Sequence, residues 1–214
     1  MCDWHLLIAP FFQTLYMVCC AGLLATLIGL PLGVLLFITQ PKQIFVHPTL
    51  NSILNMLASG LRSIPFIILM IALIPFTRLL AGTSIGTTAA IVPLTVCAIP
   101  FLAKVIETTL REVPAGLVEA SLSMGASKRQ VILKVLLPEA LPGIIQGITL
   151  TVINLVGYSA MAGAIGGGGL GDLAIRYGYQ RFDVQVMLIT IAILIFLVQF
   201  AQLIGDGFVK RLRR

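Results

Sequence analysis

The run Gly166-Gly167-Gly168-Gly169-Leu170-Gly171 contains the spacing G-x-G-x-x-G, which in a dinucleotide-binding unit seats a pyrophosphate on a helix N-terminus. That chemistry needs a strand before the run, a helix after it and an acidic residue about 20 positions on. Here the run follows a long apolar stretch and precedes a polar one, so it reads as a flexible connection that ends a helix. No G-x-x-x-x-G-K-[ST] occurs, so the chain carries no phosphate-cradling loop of its own. His5 and His47 stand alone, no Cys/His cluster has metal-ligand spacing, and no carboxylates converge into an acid and base pair. No catalytic residue, cofactor or metal is expected. A polar and polarizable stripe remains: Asn154, Tyr158 and Met161 share one helix face, with Ser159 beside them. Such a face either lines a solute path or packs on a neighbouring helix, with Asn154 hydrogen-bonded across the contact.

The elements that carry these residues are membrane spans. Of 214 residues, 58% are hydrophobic and 10% charged, against roughly 25% charged in a soluble domain, and the mean hydropathy is +1.06. A helix crosses the hydrocarbon core with about 20 apolar residues, because every backbone amide and carbonyl must be satisfied within the segment. Five stretches qualify: Phe12–Thr39, Ser63–Thr77, Ile85–Ala103, Leu141–Ala164 and Val184–Ile204. The second is short unless its polar start, Asn51 to Arg62, continues the helix along the membrane surface. The runs are continuously apolar, whereas barrel strands alternate over about 10 residues, so a β-barrel is excluded. The expected fold is an all-α membrane protein of five transmembrane helices in a single domain spanning residues 1–214.

The basic residues orient it. Lys42, Arg62, Lys104, Arg111, Lys128, Arg129, Lys134, Lys210, Arg211, Arg213 and Arg214 collect on one side, and only Arg78, Arg176 and Arg181 on the other. Eleven against three places the amino terminus outside and the carboxyl terminus in the cytoplasm. The net charge of +6 therefore reports topology and not nucleic-acid binding. The tail from Lys210 to Arg214 reads as a stop-transfer anchor drawn to anionic membrane lipid, and Arg62 and Arg78 read as interface anchors. The first span lacks the basic start and the short apolar core of a signal peptide, so it stays as a helix. Cys19, Cys20 and Cys97 fall inside spans and, with Cys2, suggest no disulfide framework. Gly29 and Gly33, Gly82 and Gly86, and Gly143 and Gly147 each make a G-x-x-x-G pair that permits close helix contact. Pro65, Pro75, Pro93 and Pro100 are expected to kink the second and third spans.

Between Lys104 and Pro142 lies the longest hydrophilic segment, and it has helix grammar: Pro114 opens a helix whose Leu117, Ala120 and Met124 share one face. Within it stands Glu119-Ala120-Ser121-Leu122-Ser123-Met124-Gly125, followed after nine residues by Val135-Leu136-Leu137-Pro138. This pattern resembles the signature of the membrane permease subunits of ATP-binding-cassette (ABC) importers: E-A-A, three residues, Gly, nine residues, I-x-L-P. Glu119, Ala120, Gly125, Leu137 and Pro138 match in register, while Ser121 replaces the second Ala and Val135 the Ile. The stretches Arg62–Leu69, Gly82–Gly86, Ala90–Val96 and Leu155–Met161 are similar to the permeases of methionine importers, and the similarity covers nearly the whole chain.

The resemblance implies the fold of a type I ABC importer permease in the bacterial cytoplasmic (inner) membrane, with a cytoplasmic coupling segment at about 104–140. It implies that Glu119, Ala120, Ser121, Met124 and Gly125 form a coupling helix docked on a separate ATPase subunit. Small residues allow close approach, Gly125 lets the chain turn away, and Glu119 supplies an orienting charge. Implied partners are two such ATPases, a second copy of the chain, an external substrate-binding (lipo)protein and a small amino-acid substrate, methionine or a close derivative. Asn154, Tyr158, Ser159 and Met161 are then expected to line the substrate path, where a tyrosine ring and a thioether suit a methionine side chain. The alternative is a secondary transporter or channel for a small solute, working without an ATPase. Its marks are ionisable residues deep in the spans and an internal repeat, and neither is found in the five stretches.

Overall fold

The computed structural model describes residues 5–41 and 43–212. Met1 to Trp4, Lys42, Arg213 and Arg214, which include Cys2 and three of the basic residues used for orientation, lie outside the described residues. Those described contain ten α-helices and no strand: α1 (His5–Ile38), α2 (Pro48–Ser63), α3 (Phe66–Ala72), α4 (Ile74–Ala81), α5 (Thr87–Arg111), α6 (Ala115–Ser123), α7 (Lys128–Val131), α8 (Leu137–Ala162), α9 (Gly169–Leu173) and α10 (Val184–Leu212). Wider π turns at Ile132–Leu136, Gly163–Gly167 and Ala174–Tyr179 lead into α8, out of it, and from α9 toward α10.

Four helices are long and apolar enough to cross a membrane: α1, α5, the α7–α8 run and α10. The second expected span is not one helix. Ile64 and Pro65 are extended, at ψ 125° and 135°, as the residue before a proline tends to be, and α2 meets α3 at a 104° bend. Pro75 then opens α4. Pro65 and Pro75 therefore separate helices instead of kinking one, whereas α5 runs unbroken through Pro93 and Pro100.

Helix α5 is the axis of the fold. It is the most enclosed span, with 61% of its most apolar window buried against 17% for α10. Ala90, Leu94 and Ala98 meet Met17, Ala21 and Ala25 of α1 and Leu155 of α8 in one core, while Leu102, Ile106 and Leu110 meet Phe37, Val131, Leu136 and Ile144 in a second. Glycines set the spacing. A methyl group at Gly33 would stand 2.6 Å from the Ala103 carbonyl oxygen and 2.7 Å from Ile106 Cβ, and one at Gly147 would stand 2.8 Å from Val105 Cγ1. The pairs Gly29–Gly33 and Gly143–Gly147 thus press α1 and α8 onto α5. Gly82 and Gly86 do no such work: they lie in the α4–α5 loop with φ of +72° and +106° and open space around them.

Gly33→Ala is expected to destabilise the fold by about 1–3 kcal/mol through overpacking against α5. Gly60→Ala, with nothing within 4 Å of the added carbon, is expected to be neutral or to stabilise by up to ~1 kcal/mol from helix propensity. Thermal unfolding of the two variants in detergent checks both signs.

Candidate coupling surface and solute-facing helix

The segment after α5 folds into a short exposed helix. Pro114 occupies the N-cap of α6, and no residue of α6 is buried. Its end is a Schellman motif: Gly125 N–H donates to Leu122 O at 3.0 Å and Ala126 N–H to Ser121 O at 3.1 Å, with Gly125 at φ +84°, the left-handed position such a cap requires. The next turn is fixed by a capping box, in which Ser127 Oγ accepts from Gln130 N–H and Gln130 Oε1 accepts from Ser127 N–H. These two caps aim α6 before the chain enters α7. Val118 and Ala126 lean on the lower core, while Leu117 is 41% and Met124 82% exposed.

Glu119 and Ala120 are exposed, Ser121 is half-buried with its hydroxyl donated to Leu117 O, and Gly125 is exposed. The structure therefore brings Glu119, Ala120, Ser121, Met124 and Gly125 onto one short, outward-projecting helix and its cap. An apolar side chain as open as Met124 is an uncovered contact surface rather than a core residue.

On α8, Thr149, Thr151 and Ser159 donate their hydroxyls to carbonyls of their own helix, the usual fate of a hydroxyl in apolar surroundings. Asn154 is half-exposed and finds no hydrogen-bond partner among the described residues. Tyr158 stacks on Phe66 of α3, with ring centroids 4.8 Å apart and planes within 14°. Met161 is 44% exposed. Asn154, Tyr158 and Met161 thus share a face open to the outside of the protomer, whereas Ser159 is 1% exposed and lies round the helix from them.

The glycine run is packed into the fold. Gly167, Gly169 and Gly171 are buried, and Gly171 backs onto Ala160 so closely that no side chain fits. Gln13 Oε1 accepts from Gly169 N–H at 2.8 Å and Thr14 Oγ1 from Leu170 N–H at 2.9 Å. Two side chains of α1 thereby cap α9, satisfying amides that no intrahelical carbonyl reaches. The run ends α8 as expected, but as a packed reversal.

Sequence reasoning also missed a buried carboxylate. Glu107 is 1% exposed and lies beyond the apolar stretch that marked the third span. One oxygen accepts from Gln40 Nε2 and from Arg111 Nη2, the latter at 2.7 Å, and the other lies 2.7 Å from Lys104 Nζ. The spacing Lys104, Glu107, Arg111 is the signal that was available, since it stacks the three on one face.

Comparison with known proteins places this geometry. Residues 29–214 match the family of the binding-protein-dependent transport system inner membrane component. The chain belongs to this family. Relatives in it include the probable D-methionine transport system permease protein of Vibrio cholerae serotype O1, 55% identical over 206 residues covering 96% of this chain and 92% of the relative. The D-methionine transport system permease protein of Escherichia coli K12 is 52% identical over 158 residues, 74% of this chain and 73% of that one. Among solved structures, an inward-facing conformation of the MetNI methionine ABC transporter superposes with a TM-score of 0.97 at 48% identity, covering 99% of this chain and 98% of that one. An amino acid ABC transporter shares the fold with a TM-score of 0.79 at 20% identity. The inner membrane component described here therefore has the type I ABC importer permease fold.

Replacing Gly125 by Ala puts a β-carbon into a left-handed conformation and is expected to loosen the end of α6 by about 1–2 kcal/mol. Hydrogen exchange checks this: the Gly125-position and Ala126 amides should exchange faster, with α8 unchanged.

Proposed function

We propose that this chain is the transmembrane subunit of an ATP-driven importer that carries methionine, as L- or D-methionine or a close derivative, across the bacterial inner membrane by alternating access. The observation that carries the reading is the exposed α6 with its Gly125 cap, bearing Glu119, Ala120 and Gly125 in register on a chain that superposes on a methionine ABC transporter subunit. Two copies of the chain form the pathway, each α6 docks on one of two ATPase subunits, and an external binding protein delivers substrate. The chain itself is not an enzyme, and ATP is hydrolysed by the partner subunits. The amino terminus lies outside and the carboxyl terminus in the cytoplasm, which puts α6 on the side where ATP is available.

The mechanism follows from rigidity. A nine-residue helix closed at its end by the Gly125 cap transmits a push rather than absorbing it, and only Glu112 to Pro114 separate it from α5. Closure of the ATPase subunits on ATP moves the two α6 helices together, α5 carries that motion into the bundle, and the dimer opens outward to receive substrate. Hydrolysis resets it. Coupling-helix contact is assigned to Glu119, Ala120, Ser121, Met124 and Gly125. The substrate path runs along Asn154, Tyr158 and Met161, where an amide without a partner among the described residues, an aromatic ring and a thioether offer polar and polarizable contacts. Ser159 supports that face from behind.

Gly125→Trp is expected to leave membrane insertion intact and to abolish co-purification of the ATPase from detergent extracts; a normal pull-down with normal uptake would overturn the docking assignment. Tyr158→Ala and Met161→Ala are expected to weaken methionine uptake several-fold with the complex still assembled. Unchanged uptake kinetics in both would remove them from the path.

A further inference from the structure

The carboxylate of Glu107 joins parts of the fold that apolar packing leaves loosely connected. Helix α2 has one buried residue, Ala58, and an outward face on which Leu50, Ile53, Met56 and Leu57 are 41–69% exposed. Its polar face turns inward. Asn51 Nδ2 donates to Leu36 O at 2.6 Å and to Thr39 Oγ1 at 2.9 Å at the end of α1, and Asn55 Nδ2 donates to Asn51 O and Oδ1 at 3.0 Å. Asn55 Oδ1 accepts from Lys104 Nζ at 2.8 Å, and that same ammonium pairs with Glu107. Glu107 in turn holds Gln40, just past α1, and Arg111, the last residue of α5. Helix α2 is thus tied by Asn55 to the ammonium that neutralises a buried carboxylate, and it moves with that pair, because a buried charge stripped of its partner is far costlier than a shifted one.

The two ends of this chain of contacts are the surfaces already described. Arg111 stands three residues before the N-cap of α6. At the far end of α2, Arg62 lies over the Phe101 ring at 5.8 Å, and past the 104° bend Phe66 stacks on Tyr158. We propose that Glu107 is a positioning residue for transport: through Lys104 and Asn55 it passes movement of the coupling helix to α2, and so to the Phe66–Tyr158 face of the substrate path. Glu107 touches neither substrate nor ATPase. It acts by keeping α2 in step with the last turn of α5. The proposal rests on the importer reading given above.

The test uses the whole complex, permease dimer with its ATPase subunits, in proteoliposomes with the binding protein and labelled methionine, and reads methionine imported per ATP hydrolysed. Wild type comes first: no ATP-dependent import by wild type counts against the importer reading and not against Glu107. Glu107→Gln, Lys104→Met and Asn55→Ala are each expected to lower the import-to-hydrolysis ratio at least tenfold while the hydrolysis rate stays within about twofold of wild type. Combining Glu107→Gln with Asn55→Ala is expected to lower it no further, since residues acting in one network are not additive. A wild-type ratio in the assembled single variants, or a double variant whose losses multiply, overturns the proposal. Where Glu107→Gln fails to assemble, Lys104→Met and Asn55→Ala with their double variant decide by the same criteria. A lowered ratio at an unchanged hydrolysis rate is a readout that a merely structural role would not give, since loss of structure lowers assembly and hydrolysis together.

Discussion

Close approach of two helices to α5 is the constraint on which the rest of the molecule depends. In lipid no hydrophobic gain separates one apolar neighbour from another, so helices associate through contact density and interhelical polar bonds. Gly29 and Gly33 let α1 lie against the backbone of α5 at Ile99 and Ala103, and Gly143 and Gly147 let α8 settle over Val105 and Thr109. Both cores form along the helix those glycines expose. A motion imposed on α5 is consequently shared by α1 and α8, a property that an importer driven from one end requires.

Polar groups mark where the chain is closed and where it is open. Hydroxyls of Thr26, Thr95, Thr151 and Thr190 return to their own helices, and Gln13 and Thr14 close the amides of α9. Against that background of groups bonded within their own helices, the half-exposed Asn154 stands out among the polar residues of α8, and Leu117 and Met124 stand uncovered on α6 and its cap. The first belongs to the proposed substrate path, and the others to the surface on which the ATPase is proposed to dock.

The sequence carried the class of fold and the exposed helix α6 because both are written locally. Long apolar runs reveal spans whatever they pack on, and the register from Glu119 to Pro138 survives in a single segment with its glycine at the cap. Spacing alone ranked three glycine pairs equally, yet Gly82 and Gly86 shape a loop, since G-x-x-x-G says nothing about whether its residues are helical. The packing of the glycine run was not legible because it rests on Gln13, Thr14 and Ala160, remote in sequence or hidden behind the reversal. The second span broke at Ile64–Pro65, where a proline signal was visible but its 104° consequence was not. Glu107 escaped notice because a span was judged by its apolar length, while its partner Gln40 and Asn55, the acceptor for its counter-ion Lys104, belong to segments that only the fold brings near.

Energy source is the property that most directly separates this account from an autonomous carrier. The decisive measurement is uptake of labelled methionine by sealed proteoliposomes containing the chain, with and without its ATPase partner, powered either by ATP on the ATPase side or by an imposed ion gradient. The account predicts uptake only with the ATPase subunits and ATP present, and none from a gradient alone. Gradient-driven uptake by the chain by itself would contradict it.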